Sequence, residues 1–568
     1  MASTILGGSL DARNPGVWLD GGASAKPGRG PLLRTAMRVL VAAAALVVAG
    51  RSAAAKDDAD VPWVMNVVNF MRGCEPRAPK RDLTKVLAEE IWFNNFYGLP
   101  NTILLQYDAM LRDDIMAVAR RADPTKTEYG LWFEVVKPLC DRLGIAWRGR
   151  KGWDWDWFAC PTFLMAYSVA DRYRLCDEMM RLFKEKFGRY PESVGGWILD
   201  AHSMAYMSEK YAIKAFCICR EQDNVDAEGL RGGYFNGAYY PSRNNMLSAA
   251  TDMRNAIRTP VFRMLTPCPI YNYGEPQRVY PGFAYRGCPT MEPGHHGGRT
   301  PSVVDWFFRI YSDRKGALNL SYMQTGQENG FPWEEVSLGL PYQMEKIAKT
   351  SAKGGLIVET LAETGKRFMR EHPENCPQTQ IALDDWTGYG RKSIWYNSRF
   401  YRCNLLMEGD RLAIRDIHVM KDDFREPYYD TACEKKTVEY YTPPFIDKAL
   451  DRDKTCRGDA AFDGEFASVE AVAADDRKTL VVTAHRKDGT TAVVTLREDG
   501  VEILGTRLVW TPKPSRRKEI SVGPGLIGLR FQGYAYSVGV IGTVEETGEG
   551  YVIRPSGDGI AFSFGLSR

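Results

Sequence analysis

The feature that most constrains the fold of this chain is an alternation of short apolar runs with amphipathic segments across residues 56–375. Segments such as Leu83–Tyr97, Met110–Arg121 and Arg172–Phe187 are predicted to be helices. Strands that alternate with helices are typical of parallel sheets with crossover helices, and seven or eight such units favour a closed (β/α) barrel over an open sheet. The predicted strands are Asn66–Met71, Thr102–Leu105, Tyr129–Val135, Val194–Leu199, Lys214–Cys219, Pro260–Leu265 and Ala317–Met323.

The pattern changes near Thr379 to β-strands separated by tight turns. Ser393–Leu406 and Arg411–Val419 are predicted strands. Two Asp-Gly pairs lie between β-rich runs, a pattern typical of hairpins, at Asp488-Gly489 and Asp499-Gly500. We therefore expect an α/β chain with a (β/α)7–8 barrel of catalytic type over residues 56–375 and an accessory all-β sandwich over 376–568.

Residues 1–55 have the order of a secretory signal peptide. Arg34 and Arg38 precede the apolar run Val39–Ala49, and Ala53 to Ala55 offers an A-x-A cleavage site. The run is shorter than the roughly 20 residues that a membrane span requires. The sequence thus predicts a secreted or periplasmic protein without a membrane span.

The distribution of charged residues limits the classes of binding partner, and the spacing of the cysteines limits the kinds of cysteine site. The 74 basic and 71 acidic residues are mixed along the chain with no polybasic block, which argues against nucleic acid as a partner. None of the twelve cysteines forms a C-x-x-C pair. Cys268 with Cys288 and Cys433 with Cys456 are two candidate disulfides, and isolated buried thiols are the equal alternative.

Carboxylates recur just past the predicted strands, where α/β barrels keep their active sites. They are Glu75, Asp108, Glu134, Asp200 and Glu328. Glycoside hydrolysis needs two such groups, one protonated and one ionised. We predict Asp200 as nucleophile or base and Glu328 as acid, whereas the structural alternative has Asp200 capping the helix that begins near Ala201.

Aromatic and polar side chains near the same strand ends are candidates for sugar binding. Trp153 and Trp155, followed by Trp157, form either a stacking platform or the anchor of a packed loop. The structural alternative for each carboxylate is to pair with Arg72, Arg220 or Arg263, or to cap a helix. The full set of candidate substrate-binding residues is Glu75, Asp108, Glu134, Trp153, Trp155, Arg220, Tyr240, Arg243, Asn244, Arg263 and Gln327.

A metal site is the alternative to a cofactor-free enzyme. Asp200 and His202, together with His295 or His296, offer ligand types that suit zinc or another divalent metal, although their spacing is not diagnostic. No G-x-S-x-G, P-loop or dinucleotide fingerprint occurs in a strand-to-helix context. We expect no cofactor, with a divalent metal as the alternative.

Several segments resemble an uncharacterised family of secreted bacterial proteins, known as domains of unknown function. The resemblance covers nearly the whole mature chain but implies no activity. It is carried by NFMRGCEPR (69–77), GLPNTILLQYDAM (98–110), VGGWILDAHSMAYM (194–207), TGQENGFPWE (325–334), LDDWTGYGRKSIWYNSRFYR (383–402) and RDIHV (415–419).

More distantly, the barrel resembles the superfamily of polysaccharide deacetylases and retaining glycosidases, whose barrel has seven strands. Glu128 to Trp132 matches the E-x-G-x-H metal motif of the deacetylases, but Trp132 takes the place of the histidine, and strand one offers only Glu75 for their Asp pair. The metal-free glycosidases carry a nucleophile after strand four and an acid after strand seven, which by strand order implies Asp200 and Glu328. The resemblance implies a glycoside hydrolase acting on a poly- or oligosaccharide. A metal-dependent deacetylase-like esterase and a non-catalytic glycan-binding protein are the alternatives.

Overall fold

The computed structural model describes residues 61–225, 228–272, 288–295, 297–448 and 456–565. The predicted leader and His296 lie outside this part of the chain. No helix within the described ranges is both long and apolar enough to cross a membrane.

Seven parallel strands form the barrel, in the order β7-β1-β2-β3-β4-β5-β6. Each predicted strand overlaps one of them. The barrel strands are β1 (Trp63–Met71), β2 (Asn101–Leu105), β3 (Thr127–Trp132), β4 (Ser193–Gly195), β5 (Ala215–Ile218), β6 (Val261–Arg263) and β7 (Ser321–Thr325). An eighth parallel strand, β8 (Leu356–Glu359), pairs with the first half of β1, and Ala238–Tyr239 pairs antiparallel with β6.

Side chains bridge the remaining gap between β6 and β7. The Thr266 hydroxyl donates to the Gln324 carbonyl at 2.8 Å and accepts from the Gln324 N–H at 2.6 Å. The barrel is therefore nearly closed, as predicted.

Helices cover the outside of the barrel, so its strands are buried on both faces, as in other parallel sheets. All nine residues of β1 are buried. Inside, the Leu104 side chain packs where Gly130 of β3 and Gly195 of β4 leave room, since a Cβ at either glycine would lie within 2.7 Å of it. The described helices are Lys85–Tyr97, Tyr107–Met110, Asp113–Ala119, Lys137–Leu143, Ala159–Thr162, Leu164–Ala166, Val169–Phe187, Ala201–Tyr211, Pro301–Ser312, Trp333–Val336, Leu340–Ala352, Leu361–Glu371 and Pro514–Glu519.

Two antiparallel sheets with a common apolar core form the C-terminal β-sandwich. The first contains Gln378–Ala382, Lys392–Asn397, Tyr401–Glu408, Arg411–Val419, Pro444–Asp447, Ala460–Phe462, Leu508–Trp510, Thr543–Glu546 and Tyr551–Arg554. The second contains Phe466–Ala473, Leu480–Arg486, Thr491–Arg497, Gly500–Leu504, Ile520–Gly523, Leu526–Phe531, Tyr534–Ile541 and Gly559–Ser563. Both Asp-Gly pairs lie at hairpin turns, as predicted. The predicted strand Ser393–Leu406 is wrong in one respect, because a turn at 398–400 divides it in two.

Two small sheets complete the described strands. Gln222–Val225, Glu228–Arg231 and Val438–Tyr441 form one, and Pro241–Ser242 with Asn245–Ala249 form the other. In the first, Val438–Tyr441 from the C-terminal part of the chain pairs in parallel with Glu228–Arg231. Because these segments interleave, the division at residue 375 stays a prediction.

All twelve cysteines lie in the described part of the chain, and none of them forms a disulfide there. The Cys288 thiol donates to the Cys268 carbonyl at 3.7 Å. Neither candidate disulfide is therefore formed, and the alternative of separate thiols holds for both pairs.

Candidate active site at the mouth of the barrel

The carboxyl ends of β1, β3, β4 and β7 surround a cavity of about 50 Å³. Because parallel strands all end at the same side of a barrel, the residues that follow them converge there. The strand ends contribute Arg72, Glu134, Trp197 and Glu328, and other lining residues include Arg77, Trp155 and Trp157. Glu134, Trp155 and Glu328 of the predicted site are thus brought together.

Arg72 lies at the centre of this cavity and is only 2% exposed. Its Nε and Nη2 donate to Glu134 at 2.8 and 3.1 Å, and its Nη1 donates to Glu328 Oε2. Burial alone would lower the pKa of Arg72, but the charges of Glu134 and Glu328 raise it instead. One guanidinium therefore bridges the two carboxylates that follow β3 and β7.

Glu134 is surrounded by hydrogen-bond donors. Its Oε2 accepts from Arg72, from Gln106 Nε2 at 2.9 Å and from Trp132 Nε1 at 2.9 Å. Its Oε1 accepts, within the described part of the chain, from Arg72 alone. Glu134 therefore binds Arg72 through both of its oxygens, and Oε1 is the less saturated of the two.

Glu328 has a different environment. It is 6% exposed, and burial raises the pKa of its carboxyl to about 7. The positive charges of Arg72 and Arg77 oppose this rise, whereas the negative charges of Glu292 and Glu134 add to it. A carboxyl group with a pKa near 7 is about half protonated at neutral pH, so it is able to donate a proton.

Glu75 lies beside Glu328. A Cβ on Gly330 would lie 3.2 Å from Glu75 Oε2 and 3.5 Å from Glu328 Oε1, so both carboxylates border the same small space. Arg77 donates to Glu75 Oε1 from its backbone N at 3.0 Å and from Nε at 2.7 Å. Burial acts to raise the pKa of Glu75, but these hydrogen bonds and the charge of Arg77 hold it below its ordinary value.

Asp108 is not among the residues that line the cavity. Its Oδ1 accepts from the backbone N of Gly73 at 2.9 Å, and a Cβ on Gly73 would lie 2.6 Å from its Cγ. Burial raises the pKa of Asp108 to about 6. Asp108 therefore fixes the chain directly after Arg72.

The tryptophan cluster contributes unequally to the site. Trp155 is 2% exposed, and the guanidinium groups of Arg72 and Arg77 lie 4.2 and 5.1 Å from its ring centre. Its Nε1 is buried and has no hydrogen-bond partner within the described ranges. Trp153 packs against Trp157, with ring centres 5.3 Å apart, and is not a lining residue. An unsatisfied buried N–H at a cavity is a candidate ligand contact.

Asp200, in contrast, caps the helix that follows it. Its oxygens accept from Ser203 N at 3.1 Å and Ser203 Oγ at 2.7 Å, which caps the helix Ala201–Tyr211. Its Oδ1 also accepts from Arg172 at 3.1 Å, and both side chains are fully buried. Asp200 is not a lining residue. This is the capping arrangement of the structural alternative, and it gives no support to Asp200 as a nucleophile.

The remaining predicted binding residues hold loops together, and none of them lines the cavity. Their contacts are Arg220 with Gln222, Tyr240 with the His372 carbonyl, Arg243 with Glu209, Asn244 with the Asp422 carbonyl, Arg263 with the Cys219 carbonyl, and Gln327 with Glu292 and Gly294. Contact of these side chains with a substrate stays a prediction.

The residues at the barrel mouth do not fit a divalent metal ion. Such a site needs carboxylates and imidazoles that converge on one point. Here the Arg72 guanidinium already binds both Glu134 and Glu328, and no histidine is among the described residues that line the cavity. Trp132, at the position of the deacetylase histidine, donates to Glu134.

His202 and His295, the histidines of the metal alternative that the structure describes, do not belong to a group of candidate metal ligands. His202 packs on Tyr429 with ring centres 4.1 Å apart, and burial lowers its pKa. His295 Nε2 lies 3.2 Å from Glu292 Oε2. His296 is outside the described residues.

Sequence reasoning treated Arg72 only as an ion-pair partner and did not single out Gln106, Trp197 or Glu292. Arg72 directly follows the wholly buried β1, and an arginine at that position signals carboxylates nearby, because a buried guanidinium needs them. Gln106 directly follows β2 in the same way. The signal was present in the sequence for these two residues.

Comparisons with known proteins give likenesses of fold. No protein-family model matches the chain, and no curated protein matches it. A structure named as a glycoside hydrolase/deacetylase, from Parabacteroides distasonis, is 14% identical, covers 69% of this chain and 92% of its own, and has a TM-score of 0.49. One named as a polysaccharide deacetylase, from Mycobacterium smegmatis, is 10% identical over 55% and 92%, with a TM-score of 0.32. A GH57-type branching enzyme from Pyrococcus horikoshii is 9% identical over 54% and 70%, with a TM-score of 0.30. These identities are too low to transfer an activity.

Proposed function

We propose that this chain is a glycoside hydrolase whose barrel site works without a metal, with Glu328 as general acid and Glu134 as the ionised carboxylate. One observation carries the proposal. Two carboxyl groups that line one cavity share the Arg72 guanidinium, yet burial raises the pKa of Glu328 to about 7 while four donated hydrogen bonds surround Glu134. Neighbouring carboxyl groups in unlike environments are how enzymes separate an acid from a base or nucleophile. The pair therefore keeps Glu328 of the predicted site and has Glu134 in place of Asp200.

The acid step follows from the environment of Glu328. Arg72 binds Oε2, and Oε1 borders the small space beside Gly330 and Glu75. In this proposal Oε1 carries the proton and gives it to the glycosidic oxygen as the bond to the sugar breaks. Glu75 and Arg77 act as positioning residues at the edge of this space.

The second step uses Glu134. Its Oε2 accepts three hydrogen bonds, which leaves Oε1 as the oxygen that attacks the sugar carbon or removes a proton from water. A separation of about 5–5.5 Å between the two carboxyl groups corresponds to a retaining enzyme, and about 6.5–9.5 Å to an inverting one.

Sugar binding is assigned to the indole rings and to the rim of the cavity. Trp157 and Trp197 offer apolar faces that stack on a pyranose ring, and Trp155 Nε1 offers a donor for a hydroxyl. A volume of about 50 Å³ holds only a few water molecules. The sugar therefore enters from the rim, where the Arg77 side chain is 42% exposed and has to move aside.

The small volume favours a second candidate, a non-catalytic barrel that binds glycan at its rim. In that case the Glu134–Arg72–Glu328 group is a buried ion-pair network that stabilises the strand ends. Glycan binding would then survive the loss of either carboxylate.

The test is hydrolysis by the full chain across a panel of poly- and oligosaccharides. Glu328→Gln and Glu134→Gln should each lower kcat/KM at least about 100-fold on the substrate that wild type hydrolyses, the range of general acid–base catalysis. The wild-type rate should fall as pH rises above about 7, because Glu328 must be protonated. Glu335→Gln is the matched control, since Glu335 is exposed in the helix Trp333–Val336. Unchanged rates in both site variants would contradict the assignment, and glycan binding without turnover in wild type would favour the second candidate.

A further inference from the structure

Two neighbouring strands of the β-sandwich bring one imidazole and two carboxylates together, away from the barrel site. Asp416 and His418 lie two residues apart on Arg411–Val419, and Asp416 pairs in register with Asp447 of Pro444–Asp447. All three side chains are fully buried. His418 Nε2 is 3.1 Å from Asp447 Oδ2 and 3.9 Å from Asp416 Oδ2.

The hydrogen bonds of His418 fix which ring nitrogen carries its hydrogen. His418 Nδ1 is 2.8 Å from the Thr442 carbonyl oxygen, which can only accept. It is also 3.2 Å from Thr442 Oγ1, which itself accepts from Gly233 N at 3.0 Å. Nδ1 is therefore the donor, and Nε2 presents its lone pair to Asp447 and Asp416. Three acceptor atoms that converge in a buried space need a cation or a hydrogen between them.

Asp447 contributes an unsatisfied oxygen. Its Oδ1 is buried and accepts no hydrogen bond within the described part of the chain, and the Arg231 guanidinium is 4.0 Å away. Asp416, in contrast, accepts from Arg402 at 2.9 and 2.8 Å. A fully buried carboxylate oxygen without a donor costs free energy unless something binds it.

We propose that Asp416, His418 and Asp447 bind one divalent metal ion of the zinc class. The three donor atoms lie within 4.8 Å of one another. Tetrahedral ligands with bonds of about 2.0–2.1 Å are roughly 3.3 Å apart, a value between the two distances from His418 Nε2. Imidazole with carboxylate is a donor set that suits zinc, and a ligating histidine commonly donates its other N–H to a carbonyl, as His418 does to Thr442.

The proposed ion has a structural role, because a fully buried site leaves no position open for a substrate. It links Arg411–Val419 to Pro444–Asp447, next to Arg402, which also binds Glu221 beyond β5 of the barrel at 2.6 and 3.0 Å. Loss of the ion should therefore lower the melting temperature of the protein and leave the barrel mouth unchanged.

The test measures bound metal in the full chain, purified without a metal-affinity step, by elemental mass spectrometry. Wild type should contain one zinc ion per chain. A chelator should remove it and lower Tm, and added Zn²⁺ should restore both. His418→Asn keeps a donor towards Thr442 but removes Nε2, so the bound metal should fall at least tenfold. His485→Asn is the matched control and should keep the metal, since the His485 side chain is 44% exposed in the same sandwich, beside Glu470.

Three results would overturn the proposal. The first is wild-type protein that contains no metal, binds no added Zn²⁺ or Mn²⁺ and has a Tm that chelator does not change. A hydrogen, and not a metal ion, would then lie between His418 and Asp447. Another is retention of the metal by His418→Asn. The third is equal metal loss in both histidine variants. If His418→Asn does not fold, the chelator titration of wild type decides.

Discussion

Replacing Glu328 with glutamine should make the protein progressively more stable relative to wild type as pH rises, although it removes a partner of a buried arginine. Burial and neighbouring carboxylates raise the pKa of Glu328 from an ordinary 4.5 to about 7. A carboxyl whose pKa is raised on folding binds its proton more tightly in the folded state. The resulting stability is fully present below pH 4.5 and is lost as pH rises through about 7.

The size of the effect follows from the same two values. The interval between 4.5 and about 7 corresponds to about 3 kcal/mol of unfolding free energy, at about 1.4 kcal/mol for each pH unit. Glutamine is neutral at every pH and mimics the protonated acid. The difference in unfolding free energy between Glu328→Gln and wild type should therefore move by about 3 kcal/mol in favour of the variant between pH 4.5 and pH 8.

The assay is urea unfolding of both proteins, followed by tryptophan fluorescence, at several pH values across this range. Groups that titrate identically in the two proteins cancel in the difference. Glu335→Gln, at an exposed site, should differ from wild type by less than about 0.5 kcal/mol at every pH. A Glu328→Gln difference that does not change with pH, or that moves in favour of wild type as pH rises, would refute the reasoning.

Three further predictions concern Asp200, Gly73 and the metal. Asp200→Asn leaves Arg172 buried without its charge partner and should lower the free energy of unfolding in urea by about 3–5 kcal/mol. The folded fraction should keep its hydrolytic rate. Loss of turnover without loss of stability would restore Asp200 as a catalytic residue. Gly73→Ala places a Cβ 2.4 Å from the Asp108 carbonyl carbon. The substitution should lower the free energy of unfolding by about 1–3 kcal/mol and displace Arg72. An unchanged Tm with full activity would be incompatible with this packing. Chelator should lower Tm but leave hydrolysis unchanged at temperatures where the protein stays folded; activity that zinc restores to folded protein would instead indicate a metal at the barrel mouth.

The barrel was predictable because its strands are short apolar runs that local sequence reveals. The predicted helix Met110–Arg121 illustrates the limit. It is interrupted at Arg112, which adopts an extended conformation and donates to the Gly73 carbonyl at 2.8 Å. That partner lies 39 residues earlier in the chain, so no local pattern shows it.

The site was predictable in part for the same reason. The rule that residues after parallel strands converge predicts Glu134 and Glu328, which both line the cavity, and it predicts Asp200 as well. Its sequence also carried the competing signal, an Asp three residues before Ser203 at the start of a helix. What decides its role is Arg172, a partner that only the folded chain brings near. The cluster of Asp416 and His418 with Asp447 likewise depends on strand pairing.

The most direct test of Glu328 as general acid compares substrates that need a proton donor with substrates that do not. Dinitrophenyl glycosides have a leaving group that departs without protonation, whereas natural oligosaccharides do not. Glu328→Gln should cleave the dinitrophenyl glycoside of the matching sugar with a kcat for bond cleavage near that of wild type. Its kcat/KM on the oligosaccharide should fall about 100- to 10,000-fold. The remaining kcat/KM should no longer depend on pH near 7. An equal loss on both substrates, or wild-type activity on both, would contradict the role of Glu328 as the acid.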